Sequence, residues 1–164
     1  MLVDEHRNHK VLLKRGEHKS IQTYIETNKF LRELHARTVA DTIEKIRALG
    51  ATVAETPNNS LLMLNDMFAV LIVICRCFKL DSGAYRWKVR FDASLAPDIT
   101  VAVRMDSTNE TPKDYYLLPS LDFRAPALKL KEANPHDFLD SYRFDTLNHL
   151  LKMTKLVSVE EVAQ

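Results

Sequence analysis

Residues 61–91 read LLMLNDMFAVLIVICRCFKLDSGAYRWKVRF, and this stretch decides the fold class. Its first half is almost continuously apolar and rich in Val and Ile, which is typical of buried β-strands. The pair Asn65-Asp66 predicts a hairpin turn between a strand at 61–64 and a longer strand at 68–78. The stretch therefore predicts adjacent antiparallel strands in the middle of the chain.

The end of this stretch alternates between apolar and basic residues. Trp87, Val89 and Phe91 occupy one set of alternate positions, which a strand would direct to one side of a sheet. We expect this side to face the core and Trp87 to be buried. The opposite side of the same strand carries three cations: Arg86, Lys88 and Arg90.

Helices are predicted on either side of the strand region. Val39, Ile43 and Ile46 recur at helical spacing over 38–49, and Gly50 suits the left-handed position that ends a helix. Residues 20–34 also have helical spacing, and the sequence leaves open whether the two segments form one helix or two. Another short helix is predicted before Gly16, and a last one over 138–156.

Further strands are predicted at 99–103 and 114–118. Helices, then about five strands, then a helix is the order of an α+β domain with a mostly antiparallel or mixed sheet. We expect a helical N-terminal segment at 1–37 and the α+β domain at 38–164.

Composition excludes several classes of protein. The 164 residues carry a net charge of only +1, so bulk charge alone would not bring the chain onto DNA. Three glycines are too few for a P-loop or a dinucleotide fingerprint. The most apolar run, 67–75, is too short to cross a bilayer as a helix. Cys75 and Cys77 are expected to be buried free thiols, so we expect no metal at these residues and a cytoplasmic location.

The cations on the alternating strand suggest a nucleic-acid contact. Rows of Lys and Arg bind phosphates because each cation replaces a condensed counterion. The predicted contact residues are Arg76, Arg86, Lys88 and Arg90, with Lys79 as a further candidate. The alternative is a solvated sheet face whose arginines pair with nearby aspartates, namely Asp92, Asp98 or Asp106.

Those aspartates lie at or near the ends of predicted strands, as does Asp114. Carboxylates that converge at strand ends could hold Mg²⁺ for hydrolysis, because this ion prefers oxygen ligands. Aspartates also favour turns for local hydrogen-bonding reasons. The sequence therefore offers Asp92, Asp98 and Asp106 as catalytic candidates beside a purely structural interpretation.

Residues 38–155 resemble the core of the PD-(D/E)XK restriction-endonuclease-like superfamily. The resemblance rests on a helix and hairpin strands, followed by Trp87-Lys88-Val89-Arg90, by 98–101 and by 114–119. It implies a nucleic-acid-binding fold. Members usually cut with an acidic residue on one strand and an acid-x-lysine pair on the next. Here the only acid-x-lysine triplet is Glu17-His18-Lys19, in the helical segment, so the resemblance implies a degenerate nuclease site.

Three functions remain open. The leading hypothesis is a non-catalytic nucleic-acid-binding module, bacterial-style regulatory or recombination-associated, that needs no cofactor. The second is a nuclease that requires Mg²⁺. The third is an interaction domain that forms a homodimer through its N-terminal helices. The cations of those helices are an alternative DNA-reading surface: Lys10, Lys14, Arg15, Arg32 and Arg37.

Overall fold

The computed structural model describes residues 18–58, 60–92, 94–123, 125–132 and 136–154. The predicted helix before Gly16 and the triplet residue Glu17 lie outside these ranges, as do Lys10, Lys14 and Arg15. The described helices are α1 (His18–Ala48) and α2 (148–154), with 3-10 helices at Ser120–Asp122 and Phe138–Tyr142. The strands are β1 (Val53–Glu55), β2 (Leu61–Leu64), β3 (Phe68–Cys75), β4 (Phe78–Lys79), β5 (Tyr85–Arg90), β6 (Ile99–Met105), β7 (Pro112–Pro119), β8 (Ala127–Leu130) and β9 (Arg143–Phe144).

The chain divides into two compact units between Arg37 and Thr38, so α1 contributes residues to both. The first part of α1 continues to His18 without a break, and the helix ends beside Gly50, whose φ is 93°. The sequence did not decide whether residues 20–34 and 38–49 form one helix or two. The structure has one helix, since neither Pro nor Gly interrupts it. No helix in the described ranges has the length and apolarity needed to cross a membrane.

The second unit contains two sheets. The larger has the strand order β1-β2-β3-β6-β7-β9, in which β3 and β6 are parallel and all other neighbours are antiparallel. The smaller is antiparallel, with the order β4-β5-β8. This architecture confirms the predicted α+β class. The predicted hairpin turn is also confirmed, because Met67 N–H donates to Leu64 O at 3.1 Å and both central residues of this turn, 65 and 66, have positive φ.

The central strands of the large sheet are buried on both faces. Alternate residues of β6 and β7 pack with residues 39–46 of α1 and with Leu147 and Leu150, forming one hydrophobic cluster. The intervening residues, such as Ala102 and Leu118, pack with Trp87 and Val89 of the small sheet, forming a second cluster. The second unit is therefore layered, with helices, the large sheet and the small sheet in that order.

Two predicted elements differ from the structure. The strand expected over 68–78 ends at Cys75, and the chain then crosses to the small sheet. The side chain of Asn109 holds the crossing, accepting from Cys77 N–H at 2.5 Å and donating to Cys77 O at 3.1 Å.

The prediction of a helix over 138–156 was wrong for the first half of this range. Asp137 caps a 3-10 turn by accepting from Leu139 N–H at 3.1 Å, and β9 then pairs with the open edge of β7. Pairing of that edge overrides the local helical pattern. Within the described residues, α2 begins only at 148.

Candidate nucleic-acid interface

Strand β5 has two chemically different sides, as its sequence predicted. Trp87 is 2% exposed and Val89 is fully buried, so the predicted burial of Trp87 is confirmed. Lys88 and Arg90 are exposed, and Arg86 is half-buried. The three cations therefore share the outer side of the small sheet.

Pairing with β4 and β8 widens this side into a surface. Lys129 of β8 lies directly opposite Lys88, and Phe78 of β4 lies directly opposite Arg86. Residues opposite each other in an antiparallel pair project to the same face. The guanidinium carbon of Arg76 lies 5.9 Å from the centre of the Phe78 ring. We call this surface the basic face, comprising Arg76, Phe78, Arg86, Lys88, Arg90 and Lys129.

Among the described residues, the charges of the basic face have no ion-pair partner. The three strands of the small sheet contain no Asp or Glu. Every ion pair found among the described residues lies elsewhere, and none includes a cation of this face. Lys88 and Lys129 form a like-charge cross-strand pair, an arrangement that destabilises a sheet. The alternative interpretation was a solvated sheet face whose arginines pair with aspartates. Among the described residues, no such ion pair is present.

A buried ion pair supports the small sheet from beneath. Arg104 and Asp114 face each other across β6 and β7, and Arg104 Nε donates to Asp114 Oδ1 at 2.7 Å. Arg104 Nη2 donates to Asp114 Oδ2, and Nη1 donates to the carbonyl of Lys131 at 2.7 Å. The guanidinium carbon also lies 4.4 Å from the centre of the Trp87 ring. Arg104 thus connects the large sheet to β5 and to the chain that follows β8.

Trp87 has a polar attachment of its own, since its indole N–H donates to Met105 O at 2.7 Å. Sequence reasoning did not select Arg104 for any role, although a single arginine within the apolar segment ITVAVRM is a visible signal. Because buried charges need partners, such a residue predicts a buried acid on a neighbouring strand.

The aspartates offered as catalytic candidates accept hydrogen bonds that fix the backbone. Asp92 Oδ1 accepts from the N–H and the hydroxyl of Ser94, and Asp98 Oδ2 accepts from Ala69 N–H at 2.8 Å. Asp106 Oδ2 accepts from the Thr111 hydroxyl at 2.6 Å. The bonds of Asp92 and Asp106 are local and match the turn interpretation of the sequence, whereas Asp98 joins the start of β6 to β3.

The carboxylate of Asp106 accepts several hydrogen bonds within its own loop. The hydrogen bond from Thr111, followed by those from Thr108 and the Glu110 and Thr111 N–H groups, lowers its pKa to about 2. Four donors on one carboxylate favour its charged form. The group is therefore organised as a fixed acceptor within the loop between β6 and β7.

The cysteines are free and buried, as predicted. Burial raises the pKa of the Cys75 thiol to about 12, although Arg104 opposes the shift. Burial also raises the pKa of Cys77. Across the described ranges, no three His, Cys, Asp or Glu side chains are grouped so that they could hold a metal ion.

Comparison with known proteins gives a structural likeness only. No protein-family model matches the chain, and no curated protein matches its sequence. Among solved structures, the chain is similar to a bacterial homing endonuclease, I-Ssp6803I, with a TM-score of 0.50 and 16% sequence identity. The similarity covers 79% of this chain and 93% of the endonuclease. The comparison therefore shows a remote likeness of fold.

Proposed function

We propose that this chain is a nucleic-acid-binding module that holds the phosphate backbone on its basic face and does not cut it. The proposal rests chiefly on Lys88 and Lys129, which lie directly opposite each other and are both exposed. Like charges at such positions cost folding free energy, and an anion bound between them would relieve that cost.

Three further features support the proposal. The cations follow one strand at two-residue intervals, so they can contact successive phosphates. Phe78 is 52% exposed beside Arg76, which adds an aromatic surface on which a base could stack. The fold resembles that of a homing endonuclease, a protein class named for acting on nucleic acid. The degenerate PD-(D/E)XK site implied by the sequence is part of this proposal, as is a regulatory or recombination-associated role without a cofactor.

The test is a salt titration of binding. Replacing Arg86, Lys88 and Arg90 together with Gln removes three candidate contacts and should make the slope of log affinity against log salt shallower by about 2–3 units. The exposed cations Lys88 and Arg90 each contribute less than about 1 kcal/mol to folding, and half-buried Arg86 has no ion-pair partner among the described residues, so the melting temperature should change little. Fluorescence anisotropy with a labelled oligonucleotide at several salt concentrations measures the slope.

A matched triple variant on the exposed side of α1 controls for lost charge: Lys29→Gln, Arg32→Gln and Arg37→Gln. The proposal requires the salt slope of log affinity to become shallower in the β5 variant and to keep the parent value in the α1 variant. The opposite result would move the contact to the N-terminal helix. Absence of retardation of any nucleic acid by the parent protein at low salt would overturn the proposal.

The nuclease alternative is distinguished in the same samples. It requires cleavage that appears with added Mg²⁺ or Mn²⁺, disappears in chelator and is lost on Asp92→Asn, Asp98→Asn or Asp106→Asn. We expect binding without metal and no cleavage. A homodimer formed through residues 1–37 is proposed as a separate property, and a change of elution volume with protein concentration would test it.

A further inference from the structure

A cavity of about 410 Å³ opens at the end of β5. The pairing of β5 with β8 continues one step beyond the strands, because Phe91 N–H donates to Pro126 O at 3.0 Å. Both residues line the cavity, together with Asp92, Pro97, Thr100 and Phe123. Arg90 immediately precedes Phe91, and its side chain lies on the other side of the small sheet, so the row of cations reaches the end of β5 that borders the cavity.

The floor of the cavity carries an unused hydrogen-bonding group. Thr100 is 1% exposed, whereas the other described lining residues are half-buried or exposed. Its Oγ1 has no hydrogen-bond partner among the described residues. A buried hydroxyl without a partner is unfavourable for folding, and such groups are uncommon in native proteins. The oxygen itself is buried, so a ligand with a polar edge would supply the missing partner once the Thr100 side chain turns toward the cavity about χ1.

The walls suit a flat, apolar ligand with a polar edge. The rings of Phe91 and Phe123 stack with centres 6.3 Å apart and planes 19° apart, and Tyr142 braces Phe123 edge-on at 4.9 Å. Asp92 at the rim has its Oδ1 engaged by Ser94, while its Oδ2 accepts no hydrogen bond from the described residues. A carboxylate at the rim repels phosphate and accepts hydrogen bonds from amino groups.

We propose that this cavity receives one unstacked, amino-bearing nucleobase from a single strand whose phosphates lie on the basic face. The proposal rests on the proposed function. A drug-sized ligand fits a cavity of 300 Å³ or more, so roughly 410 Å³ admits a base. Base stacking on aromatic side chains strengthens single-strand binding by roughly 5- to 100-fold per base. Asp92 would favour cytosine over thymine, because only cytosine offers an exocyclic amino group.

The experiment compares three labelled strands of equal length at one salt concentration: oligo(dC), oligo(dT) and an abasic deoxyribose-phosphate strand. The abasic strand reports phosphate contacts alone. For the parent protein we expect oligo(dC) to bind at least 5-fold more tightly than the abasic strand, with oligo(dT) between them. Asp92→Asn should reduce the preference for oligo(dC) over oligo(dT).

Thr100→Val is the decisive variant because valine has nearly the shape of threonine and removes the unsatisfied hydroxyl. It should fold at least as stably as the parent protein, weaken binding of oligo(dC) and leave abasic binding unchanged. Thr42→Val is the matched control, since Thr42 is also a buried threonine but bonds to Thr38 O within α1. The control should retain the base preference.

The outcomes separate the two proposals. Equal binding of all three strands by the parent protein overturns the base cavity while leaving the basic face intact, and so does a Thr100→Val variant with unchanged base preference. Failure of all three strands to bind overturns both. Direct binding of free deoxycytidine at millimolar concentration, with no preference among strands, would assign the cavity to a free small molecule instead.

Discussion

The Arg104–Asp114 pair offers the sharpest test of how the small sheet is supported. Asp114→Ala would leave a guanidinium buried with one remaining hydrogen bond, to the Lys131 carbonyl. Arg104 is 0% exposed, so water cannot take over from the lost carboxylate. Removing one partner of a buried pair costs about 3–5 kcal/mol. If each molar of urea lowers the free energy of unfolding by about 2 kcal/mol, the urea concentration at the unfolding midpoint should fall by roughly 1.5–2.5 M.

The control is Asp145→Ala, which removes a carboxylate that is 3.1 Å from Arg143 but 86% exposed. Its effect should stay below about 1 kcal/mol, because water screens an exposed pair. Replacing both buried partners, Arg104→Met with Asp114→Leu, should recover most of the stability lost in the single variant. Equal urea midpoints for Asp114→Ala and Asp145→Ala would refute the claim that burial makes the loss of the Arg104–Asp114 pair costly to folding.

Three shorter predictions concern single groups. Trp87→Ala should lower the free energy of unfolding by about 3–5 kcal/mol, because it empties the core beneath β5; thermal melting that matches the parent protein would contradict the burial of Trp87. Asp106 should titrate by NMR near its pKa of about 2 rather than at the ordinary 3.8, so the stability that it contributes is present at neutral pH and is lost as the pH falls from about 4 to about 2. Thr111→Val should raise that midpoint, and an unchanged midpoint would show that the hydroxyl is not the cause. Cys75 should resist alkylation at pH 8 in the folded protein and react in guanidinium, because burial raises the pKa of its thiol to about 12.

Much of the fold was predictable because local patterns agreed with tertiary packing. The alternation of β5, the Asn65-Asp66 turn and the apolar stripe of α1 each have one chemically consistent interpretation. The order of the strands was not predictable in the same way. The pairing of β3 with β6 and the small sheet depend on contacts between segments that are distant in sequence. The late start of α2 depends on the free edge of β7, which no local pattern describes.

The candidate interface was only partly predictable for the same reason. Arg86, Lys88 and Arg90 could be grouped from their spacing, whereas Lys129 joins them only through the register of β8. Arg104 could have been found as an unexplained charge in an apolar segment. Thr100 gives no sequence signal, because its missing hydrogen-bond partner is a property of the packed structure.

The two-sided character of β5 also constrains how this protein can change through evolution. Point substitutions at 86, 88 and 90 alter the surface and leave the Trp87 side untouched, so affinity for a ligand can drift while the domain still folds. Inserting or deleting one codon before Tyr85 would exchange the two sides, directing cations into the core and the indole into water. The gene should therefore tolerate many base substitutions at codons 86, 88 and 90, and no insertion or deletion of a single codon within the strand.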